Sequence, residues 1–212
     1  SKRSSIMGRS YGVNQILAKK YKVLEVNEEW KNAVGQLADP FTLLVFGRPK
    51  NGKTSFIMKL CKYLTKFGKV YYNSAEEGDS KTIQDALILA KMNEVDAGKF
   101  ILGDNDSFDE MCQKLTKNRA KVAVIDSLDY MKLTTQQYKK LISKFPNKSF
   151  IIISWEKAGK PGSFYAKEIE FQVGAVVHVK NFVAKTVGRY GPTEPYVIWN
   201  KPKELPKTPL GL

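Results

Sequence analysis

The chain is 212 residues long, 42% apolar and 26% charged, which is enough for one α/β domain with a full core and too short for two. Lysine and arginine number 35 against 21 aspartates and glutamates, a net charge of +14; such an excess suits a polyanionic partner such as nucleic acid, although a basic surface can also serve solubility alone. No apolar run approaches the ~20 residues of a membrane span, the N-terminus SKRSSIMGRS lacks a signal-peptide core, and Cys61 and Cys112 have no metal or redox spacing, so a cytoplasmic, reducing setting with no membrane partner is expected.

In chain order, residues 1–20 read as a basic arm, its first eight residues without periodicity and residues 14–21 offering a helical turn with Ile16 and Leu17 inward. Residues 21–200 form the expected domain. Residues 21–26 alternate as a strand, and residues 27–37 read as a helix carrying Trp30 and Val34. Trp30 either packs in the core or lies beside a nucleotide base, packing being the commoner use.

Residues 42–60, TLLVFGRPKNGKTSFIMKL, organise the rest. An apolar, partly β-branched run predicts a buried strand, residues 47–55 fit G-x-x-x-x-G-K-[ST], and a helical pattern follows. Gly47 and Gly52 give the backbone conformations closed to residues with a Cβ, so the amides of Gly47, Arg48, Pro49, Lys50, Asn51, Gly52, Lys53, Thr54 and Ser55, proline excepted, and the positive end of the next helix can surround an anion. Lys53 supplies an ammonium for the β- and γ-phosphates and Thr54 a hydroxyl for magnesium. The helix is expected to stop near Gly68.

A strand over residues 69–74 then leads into Ala75-Glu76-Glu77-Gly78, which places two carboxylates past a strand's C-terminal end, where α/β sheets bind ligands. Glu76, or alternatively Glu77, is the candidate for polarising a water beside the γ-phosphate; both also suit the N-terminus of a helix starting near Ser80. Helices are predicted over 80–91 and 108–118, a short strand over 100–102, and the acidic run 103–107 is a loop ending in an N-cap. In residues 121–127, KVAVIDS, a buried strand delivers Asp126 to its tip, where it can hold magnesium through water; Asp129 nearby reads as a solvated cap.

A helix over 136–145 and a buried strand over 149–154 follow. Residues 155–167, WEKAGKPGSFYAK, then mix glycine, three lysines (Lys157, Lys160, Lys167) and three aromatics (Trp155, Phe164, Tyr165). Lysines meet phosphates and aromatic faces stack on exposed bases, so the loop suits single-stranded nucleic acid; the plainer reading is a flexible loop whose aromatics tuck onto the domain. The C-terminal part reads as a β-hairpin from 175–185 and 196–199 with a turn at 188–193, His178 being a packed or edge residue in a strand, and residues 201–212 form a proline-rich tail.

Four segments, GRPKNGKTS, YYNSAEEGDS, VAVIDS and the RYGPT turn, resemble the ATPase core of the RecA superfamily, in particular its RadA-type and DnaB-helicase-type branches, over about residues 21–200. The resemblance implies a mostly parallel twisted sheet with helices on both faces and a C-terminal hairpin, ATP and Mg2+ as cofactors, Glu76 as catalytic base and Asp126 on the metal. It implies that Ser154 is the polar sensor at a strand end and that residues 155–167 contact DNA. Those branches use a lysine and an arginine two residues apart before a glycine as a finger on the neighbouring subunit's γ-phosphate. Here Arg189 fits the arginine end, while Val187 stands at the lysine position and Lys185 one step further back. The expected protein is therefore a DNA-acting ATP hydrolase, working in replication, recombination or repair as a homo-oligomeric ring or filament, with a replication or recombination protein as a further partner. The alternative is a nucleotide-dependent switch or assembly protein of the same fold that binds protein.

Overall fold

Short β-branched and aromatic runs bounded by turn residues make nine strands, and periodic segments between them make eight helices among the residues described by this computed structural model, 9–199. The basic run before Arg9 and the proline-rich tail lie outside the described residues. In chain order the elements are α1 (Val13–Leu17), α2 (Glu28–Val34), β1 (Thr42–Gly47), α3 (Lys53–Leu64), β2 (Val70–Ser74), α4 (Lys81–Leu89), a 3-10 turn at Met92–Glu94, β3 (Phe100–Asp104), α5 (Phe108–Lys117), β4 (Val122–Asp126), α6 (Leu128–Met131), α7 (Thr135–Lys144), β5 (Ser149–Lys157), β6 (Lys160–Pro161), α8 (Phe164–Glu170), β7 (Ala175–Lys180), β8 (Val183–Gly188) and β9 (Tyr196–Val197).

The sheet runs β3-β2-β4-β5-β1-β7-β8-β9, with β6 paired only to β5. From β3 to β7 every neighbouring pair is parallel, and β8 and β9 fold back antiparallel. Parallel strands are joined by crossover helices that cover both faces, which is why their sequences are continuously apolar. Leu43 and Val45 of β1 join a core with Trp30, Phe56, Leu60 and Ile83 on one face. Leu44, between them, joins a second core with Leu115, Leu141 and Ile169 on the other. All six parallel strands therefore end at one edge of the sheet.

Local chemistry marks the helix starts. Asn27, Ser80, Ser107, Thr134 and Ser163 each cap a helix through a side-chain oxygen, with full capping boxes at Ser107–Glu110 and Thr134–Gln137. The acidic run before α5 is structural: Asp106 is buried and accepts hydrogen bonds from the Tyr71 hydroxyl and, at 2.5 Å, from Lys114 Nζ.

Four expectations need correction. The strand over 21–26 reduces to a single bridge between Val23 and Ala38, because Leu24 N takes Leu37 O at 2.8 Å and Val26 N then turns back to Leu24 O, leaving no partner to extend the ladder. Ile16 and Leu17 of α1 point outward, Leu17 at 77% exposure, because no described element packs on that turn. The C-terminal reversal comes earlier than expected, at Asn181-Phe182, whose φ values of 50° and 60° fit the two-residue turn that matches strand twist; residues 189–195 then connect to β9. The segment 155–167 is also no loose loop. β5 continues to Lys157, turns tightly at Ala158-Gly159 into β6, and gives way to α8.

Trp30 ties these parts together as a packing residue: its ring lies 5.1 Å from Tyr196 of β9, 5.8 Å from Tyr63 and 6.0 Å from Phe56 of α3. Trp30→Ala should destabilise the domain by about 3–5 kcal/mol, read as a lowered urea midpoint with an unchanged m-value.

Candidate nucleotide site

The loop between β1 and α3 is held by close backbone approach. A Cβ on Gly47 would come within 2.2 Å of the Val179 carbonyl oxygen of β7, and Gly52 caps α3 at φ +100° with the Phe182 ring 3.0 Å from where its Cβ would stand. Only glycine satisfies either position. The first amides of the 12-residue helix α3 are thereby left free at its positive end. Lys53 Nζ sits across the loop, donating to Gly47 O at 2.7 Å and Arg48 O at 3.1 Å. Burial pulls its pKa down, against the charges of Asp126, Glu156, Glu76 and Asp129.

Arg48-Pro49-Lys50-Asn51 is bulky for a phosphate loop, and the structure shows what holds it. Arg48 Nε pairs with Glu156 Oε1 at 3.3 Å, and the other oxygen of Glu156 meets His178 Nε2 at 2.8 Å. The His178 ring is stacked at 4.5 Å on Phe46, the residue before Gly47. Asn51 Oδ1 accepts from Asn181 N at 2.9 Å and its carbonyl from Phe182 N at 3.0 Å. The loop is thus clamped between the end of β5 and the β7–β8 turn. Neither Glu156 nor this use of His178 was anticipated; the available signal was a lone acidic residue in the basic-aromatic run WEKAGK.

Across the crevice, β2 and β4 pair with Ser74 opposite Asp126, and the Asp126 carbonyl accepts from Ala75 N at 2.7 Å and Glu76 N at 3.2 Å. Asp126 and Glu76 are thereby neighbours at the strand ends. The Tyr72 hydroxyl donates to the Asp126 carboxylate. Burial pushes Asp126 up to about 6, opposed by that hydrogen bond and by Lys53 and reinforced by Glu76 and Glu77.

The structure separates the two glutamates. Glu76 Oε2 lies 3.4 Å from Trp155 Nε1 and 3.5 Å from Ser127 Oγ, facing the crevice. Glu77 instead accepts from Ser80 Oγ at 3.3 Å, at the start of α4. Asp129, expected to be a solvated cap, accepts from Trp155 N at 2.7 Å and so fixes the same tryptophan. Ser154 is fully buried, and its hydroxyl donates to the Trp155 carbonyl at 3.2 Å. Arg189 is exposed beyond β8, its backbone amide bonded to Gly174 O. Since Gly174 precedes the start of β7, Arg189 stands at the opposite edge of the sheet from this chain's own phosphate loop.

Beside Ser55, a cavity of about 410 Å3 is walled by Lys59, Leu89, Phe182, Ile198 and Trp199, the Phe182 and Trp199 rings 5.5 Å apart, edge to face. No cluster of three or more His, Cys, Asp or Glu occurs among the described residues. A hydroxyl from Thr54 and a carboxylate from Asp126 fit magnesium, which takes its remaining ligands from phosphate and water.

No protein-family profile and no curated protein sequence matches the chain. Solved structures do. The chain superposes on the KaiC-like protein PH0186 of the hyperthermophilic archaeon Pyrococcus horikoshii OT3 with a TM-score of 0.60 at 16% identity, covering 82% of this chain and 93% of that one. The expected RecA-like α/β architecture is therefore the one observed. The likeness is one of fold: 578 solved chains match, and a widely shared fold does not by itself select a function. No described helix is long and apolar enough to cross a membrane.

The clamp on the loop gives a pH-dependent test. Burial pushes the Glu156 carboxyl up, but the His178 hydrogen bond and the His178 and Arg48 charges pull it further down, to below its ordinary value. Stabilisation from a carboxylate lowered in the folded state is present above the ordinary glutamate range and lost as pH falls through the folded value. Glu156→Gln should cost about 1–3 kcal/mol at neutral pH, and the gap between variant and parent urea midpoints should persist through the ordinary glutamate range and close only as pH falls below it.

Proposed function

We propose that the chain is a magnesium-dependent ATP hydrolase that works as an oligomer on nucleic acid, preferentially single-stranded. The observation that carries the enzymatic part is the convergence of Lys53, Asp126 and Glu76, from three separate strand ends, on one crevice beside a free helix N-terminus. In that crevice Lys53 and the α3 amides offset phosphate charge, while Thr54 and Asp126 hold the metal. Bound magnesium supplies further shielding of the phosphate oxygens. Glu76 accepts a hydrogen bond from the attacking water and is itself oriented by the Trp155 indole N–H. The apolar cavity beside Ser55 takes the nucleoside, its flat base against Phe182 and Trp199.

Arg189, on the far edge, cannot serve its own loop and is exposed, which supports its use as a finger on a neighbouring copy's γ-phosphate and hence a ring or filament. Nucleic acid is supported by the hairpin and helix after β5. Trp155, Phe164 and Tyr165 are 45%, 69% and 37% exposed, rather than tucked onto the domain, and Lys157, Lys160 and Lys167 beside them are exposed too. Because Trp155 both faces solvent and touches Glu76, a base stacked on it would alter the orientation of the water-polarising carboxylate. The competing reading is a nucleotide-dependent switch that binds protein, with which the likeness in fold to a KaiC-like protein is equally compatible.

Phosphate release from ATP, with and without a single-stranded oligonucleotide, distinguishes them. Glu76→Gln should lower kcat by about 10²–10⁴-fold with nucleotide binding retained, Glu77→Gln should leave it nearly unchanged, and Lys53→Ala should abolish turnover. Trp155→Phe, which keeps the ring but removes the N–H, should uncouple the oligonucleotide from the rate. Turnover indifferent to single strands in the parent would favour the switch.

A further inference from the structure

The edge of the sheet opposite the nucleotide crevice carries a second charged cavity, of about 530 Å3. It lies beneath the starts of β4, β5 and β1, three adjacent strands, where residues 119–121, 145–148 and 39–40 lead into them. Lys22, Arg119, Lys121, Lys144 and Lys148 line it against one carboxylate, Asp39.

That carboxylate is already engaged. Asp39 Oδ2 pairs with Lys22 at 2.8 Å and with Lys121 at 3.4 Å, and its side chain is only 6% exposed. Arg119, Lys144 and Lys148 have no carboxylate within ion-pair distance among the described residues. Lys148 is the most telling of the three. It is partly buried, its ammonium donates to the Ala120 carbonyl, and burial alone holds its pKa below the usual lysine range. Lys144 and Lys148 both lie near the Phe145 ring, at 5.6 and 5.8 Å from its centroid, and both line the cavity. Gathering like charges in a concave, partly desolvated site is costly unless an anion enters it.

We propose that this cavity binds the phosphodiester backbone of a nucleic acid, as a contact surface separate from both the ATP crevice and the aromatic-lysine face after β5. Three adjacent strands span about 10 Å at ~4.8 Å per strand. Cations distributed over that width suit successive phosphates along a strand better than one isolated anion. The inference does not rest on the nucleotide reading, since the cavity shares no residue with it.

The test is anisotropy of a short labelled single strand titrated with the full chain across a salt series, without nucleotide. Each phosphate contact to a single strand adds about 0.7 to the slope of log K against log salt. Arg119→Gln/Lys144→Gln/Lys148→Gln should therefore lower that slope by about 2, with at least a tenfold loss of affinity at moderate salt. Should the Lys148 substitution disturb folding, Arg119→Gln/Lys144→Gln alters exposed side chains only and should still lower the slope by about 1.4. ATP turnover measured without oligonucleotide should be the same in parent and variants, which separates this result from any failure of the hydrolase reading. Unchanged affinity and slope in the folded double variant would overturn the proposal. So would weakened binding of tripolyphosphate with oligonucleotide binding intact, because the cavity would then serve a free polyphosphate.

Discussion

The backbone carbonyl of Asp126 receives the amides of both Ala75 and Glu76, and the rest of the site follows from that junction. It extends the β2–β4 ladder one step beyond Ser74 opposite Asp126, so two carboxylates 50 positions apart in sequence become neighbours without any direct pairing of like charges. A slip of one residue would turn either side chain to the other face of the sheet. Register is strongly specified here because both faces of these strands are buried, with Tyr72 and Val124 in one core and Tyr71, Ala123 and Ile125 in the other.

The same logic explains the unusual phosphate loop. Gly47 and Gly52 meet the steric demands, but the four residues between them carry side chains that must be placed. Arg48 is drawn to Glu156 and Asn51 to the Asn181-Phe182 turn, so the loop depends on β5 and β7, the two strands that flank β1. A glycine-rich loop obtains its shape from backbone freedom; this one obtains it from neighbours, which connects the phosphate site mechanically to the β7–β8 hairpin and to the segment carrying the exposed aromatics.

Much of this was legible in the sequence where the signal is local. Residues 47–55 fix type and spacing within one short segment, Asp126 directly follows an apolar run, and Glu76 follows a strand-like run that ends in Asn73-Ser74-Ala75. Trp30 reads correctly as packing. What resisted was whatever depends on which strands are neighbours. Arg48, Glu156 and His178 come from three distant segments and meet only because β5, β1 and β7 are adjacent, an order that no local pattern encodes. Residues 21–26 alternate like a strand but find a single bridging partner, so pattern without pairing made no ladder. Residues 155–167 look like a loop by glycine content, yet Ala158-Gly159 serves as a tight turn and Ser163 as a cap. Ile16 and Leu17 show the converse: apolar residues on a short helix read as inward, yet no described element covers them.

On the proposed reading, Mg–ATP occupies the crevice lined by Lys53, Asp126 and Glu76. A crystal structure of the chain with magnesium and a non-hydrolysable ATP analogue tests it most directly. Phosphates are expected on the first amides of α3, with Lys53 turned from the Gly47 and Arg48 carbonyls to the phosphates, the metal held by Thr54 and by Asp126 directly or through water, and the base in the cavity beside Ser55. A nucleotide bound elsewhere, or Lys53 still bonded to the two loop carbonyls with the analogue present at saturating concentration, would contradict it.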